Sequence, residues 1–114
     1  MITKDFSREE FACKCGCGAD HIRTDLVIIL QNIRDYFNKP VKINSGVRCV
    51  RHNKRVGGAK NSKHLTGEAA DIKIVGVSPR AISMVANDLL GRRGGVKVYR
   101  TFTHIDIRKG YWRA

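Results

Sequence analysis

The sequence predicts an α+β domain in which helices pack on a small antiparallel sheet. Three observations lead there. Leu26, Ile29, Leu30, Ile33 and Phe37 recur at helical intervals and form one apolar face. Ala70, Ile72 and Ile74 alternate with Asp71 and Lys73, and Ile105 and Ile107 alternate with His104, Asp106 and Arg108, which is the period of half-buried strands. The length of 114 residues allows one compact core and is too short for two, so a single domain spanning 1–114 is expected.

The elements follow in order. Ser7 and Glu10 have the capping-box spacing ahead of Phe11, so a short helical turn begins near Ser7. The Cys-Lys-Cys-Gly-Cys-Gly run from Cys13 to Gly18 is loop. Thr24 caps the long helix, which stops before Pro40. Val41, Ile43 and Ser45 then alternate with Lys42 and Asn44 in a short strand. Gly46, Gly57, Gly58 and Gly67 punctuate a polar stretch of about 20 residues, a loop length that so small a domain keeps for function. In the strand that follows, Asp71 points away from the core. Ser78 and Pro79 cap and start a helix through Ile82, Val85, Ala86, Leu89 and Leu90, ended by Gly91. Val96 to Tyr99 and Thr103 to Ile107 complete the sheet. No internal repeat, linker or low-complexity segment interrupts this order.

Lys and Arg number 22 against 10 Asp and Glu, a formal net charge of +12 scattered from Lys4 to Arg113. Such a charge favours polyanions, including anionic cell-wall polymers, although a well-solvated surface accounts for it equally. No interleaved aromatic platform or reading motif accompanies it, so a specific nucleic-acid partner is not expected. No run approaches the ~18 apolar residues of a membrane span. The first ten residues lack the apolar stretch of a secretory signal. A monomer that stays cytoplasmic until released, or is exported by a leader outside this sequence, is therefore expected.

His64, Asp71 and His104 are the candidate metal ligands. A loop can bring His64 over the strand that carries Asp71, and His104 lies on the outer face of a later strand. Two imidazoles and a carboxylate suit zinc with one coordination position open. Zinc so held can acidify water and polarise a peptide carbonyl.

The longer pattern is more specific. It comprises Ser45-Gly46-Val47-Arg48, His52-Asn53, the run from Val56 to Asp71, and Phe102-Thr103-His104-Ile105-Asp106. Within it, Ser62 to Asp71 reads Ser-x-His-x-x-Gly-x-Ala-x-Asp. This resembles the zinc D-alanyl-D-alanine carboxypeptidases and their phage L-alanyl-D-glutamate endopeptidase relatives, in the superfamily of lysostaphin-type peptidases and the hedgehog signalling domain. The resemblance runs from Ser45 to Arg108. It implies a fold of that type, zinc on His64, Asp71 and His104, and hydrolysis of an amide in peptidoglycan stem peptides, as in a phage lysis protein. It further implies that Arg48 binds substrate and stabilises the oxyanion, work suited to a fixed guanidinium. Ser62 falls where substrate or a ligand would be oriented, although a Ser in a glycine-rich loop is as often a turn residue. A zinc-containing wall-binding module without catalysis is the alternative.

The sequence departs from the resemblance at the general base. Many relatives carry Glu or Asp three residues before the last zinc histidine, where this chain has Thr101. Asp106, on the same strand face as His104, is the expected substitute, with an orienting role toward a ligand imidazole as the competing reading. Lys73 and Arg108 share that face and could hold peptide carboxylates, although a solvated strand edge is the favoured reading for each. His21 matches no motif. Cys13, Cys15, Cys17 and Cys49 leave three readings open, a tetrathiolate zinc site, a disulfide from Cys49 to one of the others, or free thiols.

Overall fold

The computed structural model describes residues 1–114. A 3₁₀ turn, Arg8–Phe11, precedes α1 (Thr24–Phe37), β1 (Lys42–Ser45), α2 (Val50–Arg55), β2 (Ala69–Lys73), α3 (Pro79–Leu90), β3 (Gly94–Val98), β4 (Thr103–Asp106) and β5 (Tyr111–Arg113). The strands form one sheet in the order β1-β2-β4-β3-β5. The first four are antiparallel, as expected, and β5 joins the edge parallel to β3.

Local chemistry accounts for the long elements. Ser7 and Glu10 close the capping box. In α1, Thr24 is the first helical residue and Arg23 occupies the cap, so the helix starts one residue earlier than a Thr24 cap would give. It ends at Asn38, which takes the left-handed conformation at φ 51° that Asn tolerates better than most residues. Ser78 Oγ accepts the Ala81 N–H at 3.1 Å and Pro79 opens α3.

Leu26, Leu30 and Ile33 of α1, Ile82 and Ala86 of α3, and Ile43, Ala70, Ile72, Val96 and Ile105 of the sheet belong to one buried cluster. Each large member contributes about 1.5–3 kcal/mol by leaving water. Because strand side chains alternate, this packing sends Asp71 and His104 to the opposite face of the sheet. The segment between β1 and β2 lies over that face. Asp71 points away from the core, as expected, yet it is buried beneath this cover at 6% exposure.

Two elements lie outside the sequence expectation. The polar stretch contains α2, of which only Asn53 is buried. Three-residue β5 is held by backbone bonds to β3 and by Arg113, whose guanidinium donates to the carbonyls of Gly91, Arg93, Gly94 and Trp112.

Gly46 fixes the corner after β1. The Val47 N–H donates to the Phe11 carbonyl at 2.8 Å. A Cβ at Gly46 would stand 2.6 Å from the Phe11 oxygen and 2.7 Å from its Cα. Gly46→Ala is expected to destabilise the fold by about 1–3 kcal/mol through this overpacking. Urea unfolding reads the loss as a lower midpoint at unchanged m, and a wild-type midpoint would show that the Phe11 segment yields freely.

Candidate active site

Three elements deliver the site. Strands β2 and β4 pair with Asp71 directly opposite His104. His64 descends from the covering loop, where its backbone N–H donates to Ser62 Oγ at 3.2 Å and its carbonyl accepts from the Arg48 N–H at 3.0 Å. Ser62 thus shapes the turn that aims His64.

The three candidate ligands converge. His64 Nε2 lies 3.2 Å and His104 Nδ1 2.9 Å from the same Asp71 oxygen, Oδ1. A tetrahedron with zinc–nitrogen and zinc–oxygen bonds of about 2.0–2.2 Å has edges of about 3.3–3.6 Å, so the triangle needs only slight expansion. The rear nitrogens are also fixed. His64 Nδ1 donates to the Gly46 carbonyl at 2.7 Å, which leaves Nε2 as its free lone pair when the ring is neutral. His104 Nε2 donates to Asp106 Oδ2 at 2.9 Å, which leaves Nδ1. Both free lone pairs therefore face Asp71, and the donor set fits a zinc ion.

Charge follows the geometry. Burial pushes the Asp71 carboxyl up, but the His104 and His64 imidazoles outweigh it and hold the group at about 2. Burial opposes charging of His104, and hydrogen bonds to Asp106 and Asp71 override it and raise its pKa above the ordinary value. Asp106, likewise buried, is held well below the usual carboxylate range by His104 and Arg108.

Arg48 sits beside this triangle. Its Nε donates to Ser45 Oγ at 3.1 Å, Nη1 to Asn53 Oδ1 at 3.2 Å and Nη2 to Asp71 Oδ2 at 3.3 Å. A guanidinium has five N–H groups, so one hydrogen on each of Nη1 and Nη2 stays available. Asn53 is braced in turn by donating to the Ala59 carbonyl at 2.9 Å.

Asp106 stands behind His104. It is fully buried, and its Oδ1 accepts from the Arg108 backbone N–H and Nε at 3.1 and 2.8 Å, while Oδ2 accepts from Arg108 Nη2 and His104. It does not line the cleft of about 550 Å³ that opens over the triangle. Arg48, Ser62, His64, Asp71, His104 and Arg108 do line it, and Asp71 is its only carboxylate. Thr101 is exposed in a separate groove shared with Lys73. His21, also exposed, contacts the Leu65 carbonyl at 3.0 Å.

Several cleft residues were not anticipated from sequence. Trp112 of β5 stands edge-on to His104 with centroids 6.0 Å apart, and the Arg108 guanidinium lies 4.6 Å from its ring centroid. Tyr99, Lys60 and Lys63 complete the wall. Nothing local marks them, since β5 is too short for a strand pattern and the lysines are two among many.

The family model described as Peptidase M15 matches residues 4–106. The zinc D-Ala-D-Ala carboxypeptidase of Streptomyces albus G is 51% identical over 35 residues, which is 31% of this chain and 14% of that protein's length. The chain thus spans only a small part of that relative. The crystal structure of the Serratia marcescens L-Ala D-Glu endopeptidase ChiX shares the fold, with a TM-score of 0.58 at 21% identity over 76% of this chain and 80% of that one. With a family match over nearly the whole domain, the chain belongs to the peptidase M15 family.

Proposed function

We propose that this chain is a zinc metallopeptidase that hydrolyses amide bonds in peptidoglycan stem peptides. The observation that carries the reading is the convergence of His64 Nε2, Asp71 Oδ1 and His104 Nδ1, each imidazole locked from behind. Zinc bound there supplies Lewis-acid polarisation of a peptide carbonyl and acidification of water. Arg48 directs its two remaining N–H groups to the substrate carbonyl, where negative charge develops in the transition state. Lys60 and Lys63, which make no ion pair within the protein, offer charge to substrate carboxylates at the cleft wall. A D-Ala-D-Ala carboxypeptidase and an endolysin-type endopeptidase both fit, and mass analysis of the products released from purified cell wall separates them. No released peptide from zinc-loaded protein would favour a wall-binding module, a reading that the lack of a second carboxylate in the cleft keeps in play.

Within this reading Asp106 positions His104 and does not act as the base. Its four accepted hydrogen bonds and complete burial leave no lone pair toward the cleft. Asp106→Asn is expected to weaken zinc binding about 10- to 100-fold and to regain near-normal turnover at saturating zinc. A turnover deficit of about 10² to 10⁴ persisting at saturating metal would restore the base assignment. Arg48→Lys is expected to keep fold and metal while losing about 10² to 10³ in kcat, because an ammonium cannot reproduce the fork of donors. Wild-type turnover in that variant would remove Arg48 from the reaction.

Proton competition gives a further test. In the metal-free protein His104 keeps its proton to a higher pH than an ordinary histidine, whose value is 6.5. Metal needs the neutral ring, so binding releases that proton and affinity falls as pH drops through the raised value. Titration against a competing chelator should therefore show affinity declining already above pH 6.5. An affinity that stays flat until well below that pH would contradict the raised pKa of His104.

A further inference from the structure

Outside the cleft, the densest gathering of reactive side chains is the thiol cluster. Cys13, Cys15 and Cys17 lie on the loop after the 3₁₀ turn and Cys49 immediately precedes α2, yet their four Sγ atoms all lie within 4.8 Å of one another. Cys13 and Cys15 are 3.4 Å apart at sulfur, Cys15 and Cys49 are 3.6 Å apart, and all four are free thiols. We propose that these four cysteines bind a structural zinc ion as a tetrathiolate, separate from the His64, Asp71 and His104 site.

The spacing fits the ion. Zinc–sulfur bonds of about 2.3 Å set the tetrahedral edge at about 3.8 Å, within the range the thiols span. The loop must be shaped to achieve it. Along an extended strand, side chains two residues apart share a face but are separated by about 7 Å. Here Gly16 and Gly18, at φ 84° and 89°, turn the chain after Cys15 and after Cys17, and the Gly16 N–H donates to the Cys13 carbonyl at 3.2 Å. The two glycines thus draw alternate cysteines toward one centre.

Packing does not explain the gathering. Cys13 is buried, but Cys15 and Cys17 are exposed and Cys49 is half-buried, so burial of apolar surface gives the last three little reason to meet. Two sulfurs also accept backbone hydrogen bonds, Cys13 from the Cys49 N–H and Cys49 from the His52 N–H, each at 3.4 Å. Such donors stabilise thiolate charge beside a metal. A set of four sulfurs with no open position is the pattern of a structural site, and zinc is a metal that takes it without redox chemistry.

The position gives the ion a task. Cys49 follows Arg48, and Gly46, two residues before Arg48, holds His64 through its carbonyl. Fastening Cys49 to the Cys13–Cys17 loop braces the corner from which both site residues are aimed. Zinc at this centre contacts no substrate.

Metal content and spectroscopy of the reduced full chain test the proposal. Wild-type protein is expected to hold two zinc ions by native mass spectrometry and elemental analysis, and His104→Ala is expected to keep one. Cobalt-loaded His104→Ala should show the strong thiolate-to-cobalt charge-transfer bands of a sulfur-rich tetrahedral site. The Cys15→Ser, Cys17→Ser double variant should lose those bands and retain the metal of the cleft. Absence of charge-transfer bands in cobalt-loaded His104→Ala overturns the proposal, even where the cysteine variant fails to fold. So does iron in place of zinc, or a mass lower by the hydrogens of disulfides in protein purified under reducing conditions. Loss of the cleft metal with the thiolate bands intact would count against the peptidase site alone.

Discussion

The pairing of Asp71 with His104 across the middle of the sheet is the constraint on which the rest of the site depends. A slip of one residue between β2 and β4 would turn Asp71 into the core and bring Ile72 out of it, so the apolar packing enforces the register that the chemistry needs. The buried Asp71 carboxylate is costly unless each oxygen is met. Oδ1 lies against the two imidazoles and Oδ2 accepts from Arg48, an arrangement that gathers polar groups from three separate segments around one anion. Removing any one partner leaves charge uncompensated in a covered position, a larger loss than the pair's net contribution.

The covering loop is held by hydrogen bonds of its own. Gly46 serves two contacts at once, admitting the Phe11 backbone on one side and accepting from His64 on the other. Asn53 links Arg48 to the Ala59 carbonyl, and Gly58 must lack a side chain because a Cβ there would collide with the Asn53 amide. The long glycine-punctuated stretch is therefore a hydrogen-bonded cover built on the Arg48 corner, and Gly58 marks its close approach to Asn53 and Arg48.

How far the sequence displayed this differs by residue. The core faces of α1 and α3 and the alternation of β2 and β4 were legible because each is set by neighbours within the same element. The site triad was legible through its long pattern, while its individual spacings carried little. Burial of Asp71 was not, because its cover comes from loop residues whose path no local rule fixes. Helix α2 shows no apolar face and only one buried residue, so periodicity has nothing to register. Trp112 reached the cleft through a three-residue parallel edge strand stabilised mainly by Arg113 and backbone bonds, which are tertiary features. The meeting of Cys13 with Cys49, 36 positions apart, is equally invisible to spacing.

The charges of the cleft divide into two kinds with different consequences. Arg48 and Arg108 are committed to Asp71 and Asp106, so their cost of burial is offset within the protein and they act as rigid fixtures. Lys60 and Lys63 lack such partners, and Lys60 is exposed to water, where its pull is screened within about 10 Å at ordinary salt. For the proposed peptidase, this separates positioning from capture. The arginines hold ligand and carbonyl geometry whatever the ionic strength, whereas the lysines and the general excess of positive charge act on encounter with an anionic wall. Salt therefore reaches the approach of substrate far more readily than the internal geometry of the site, which rests on short hydrogen bonds to buried carboxylates.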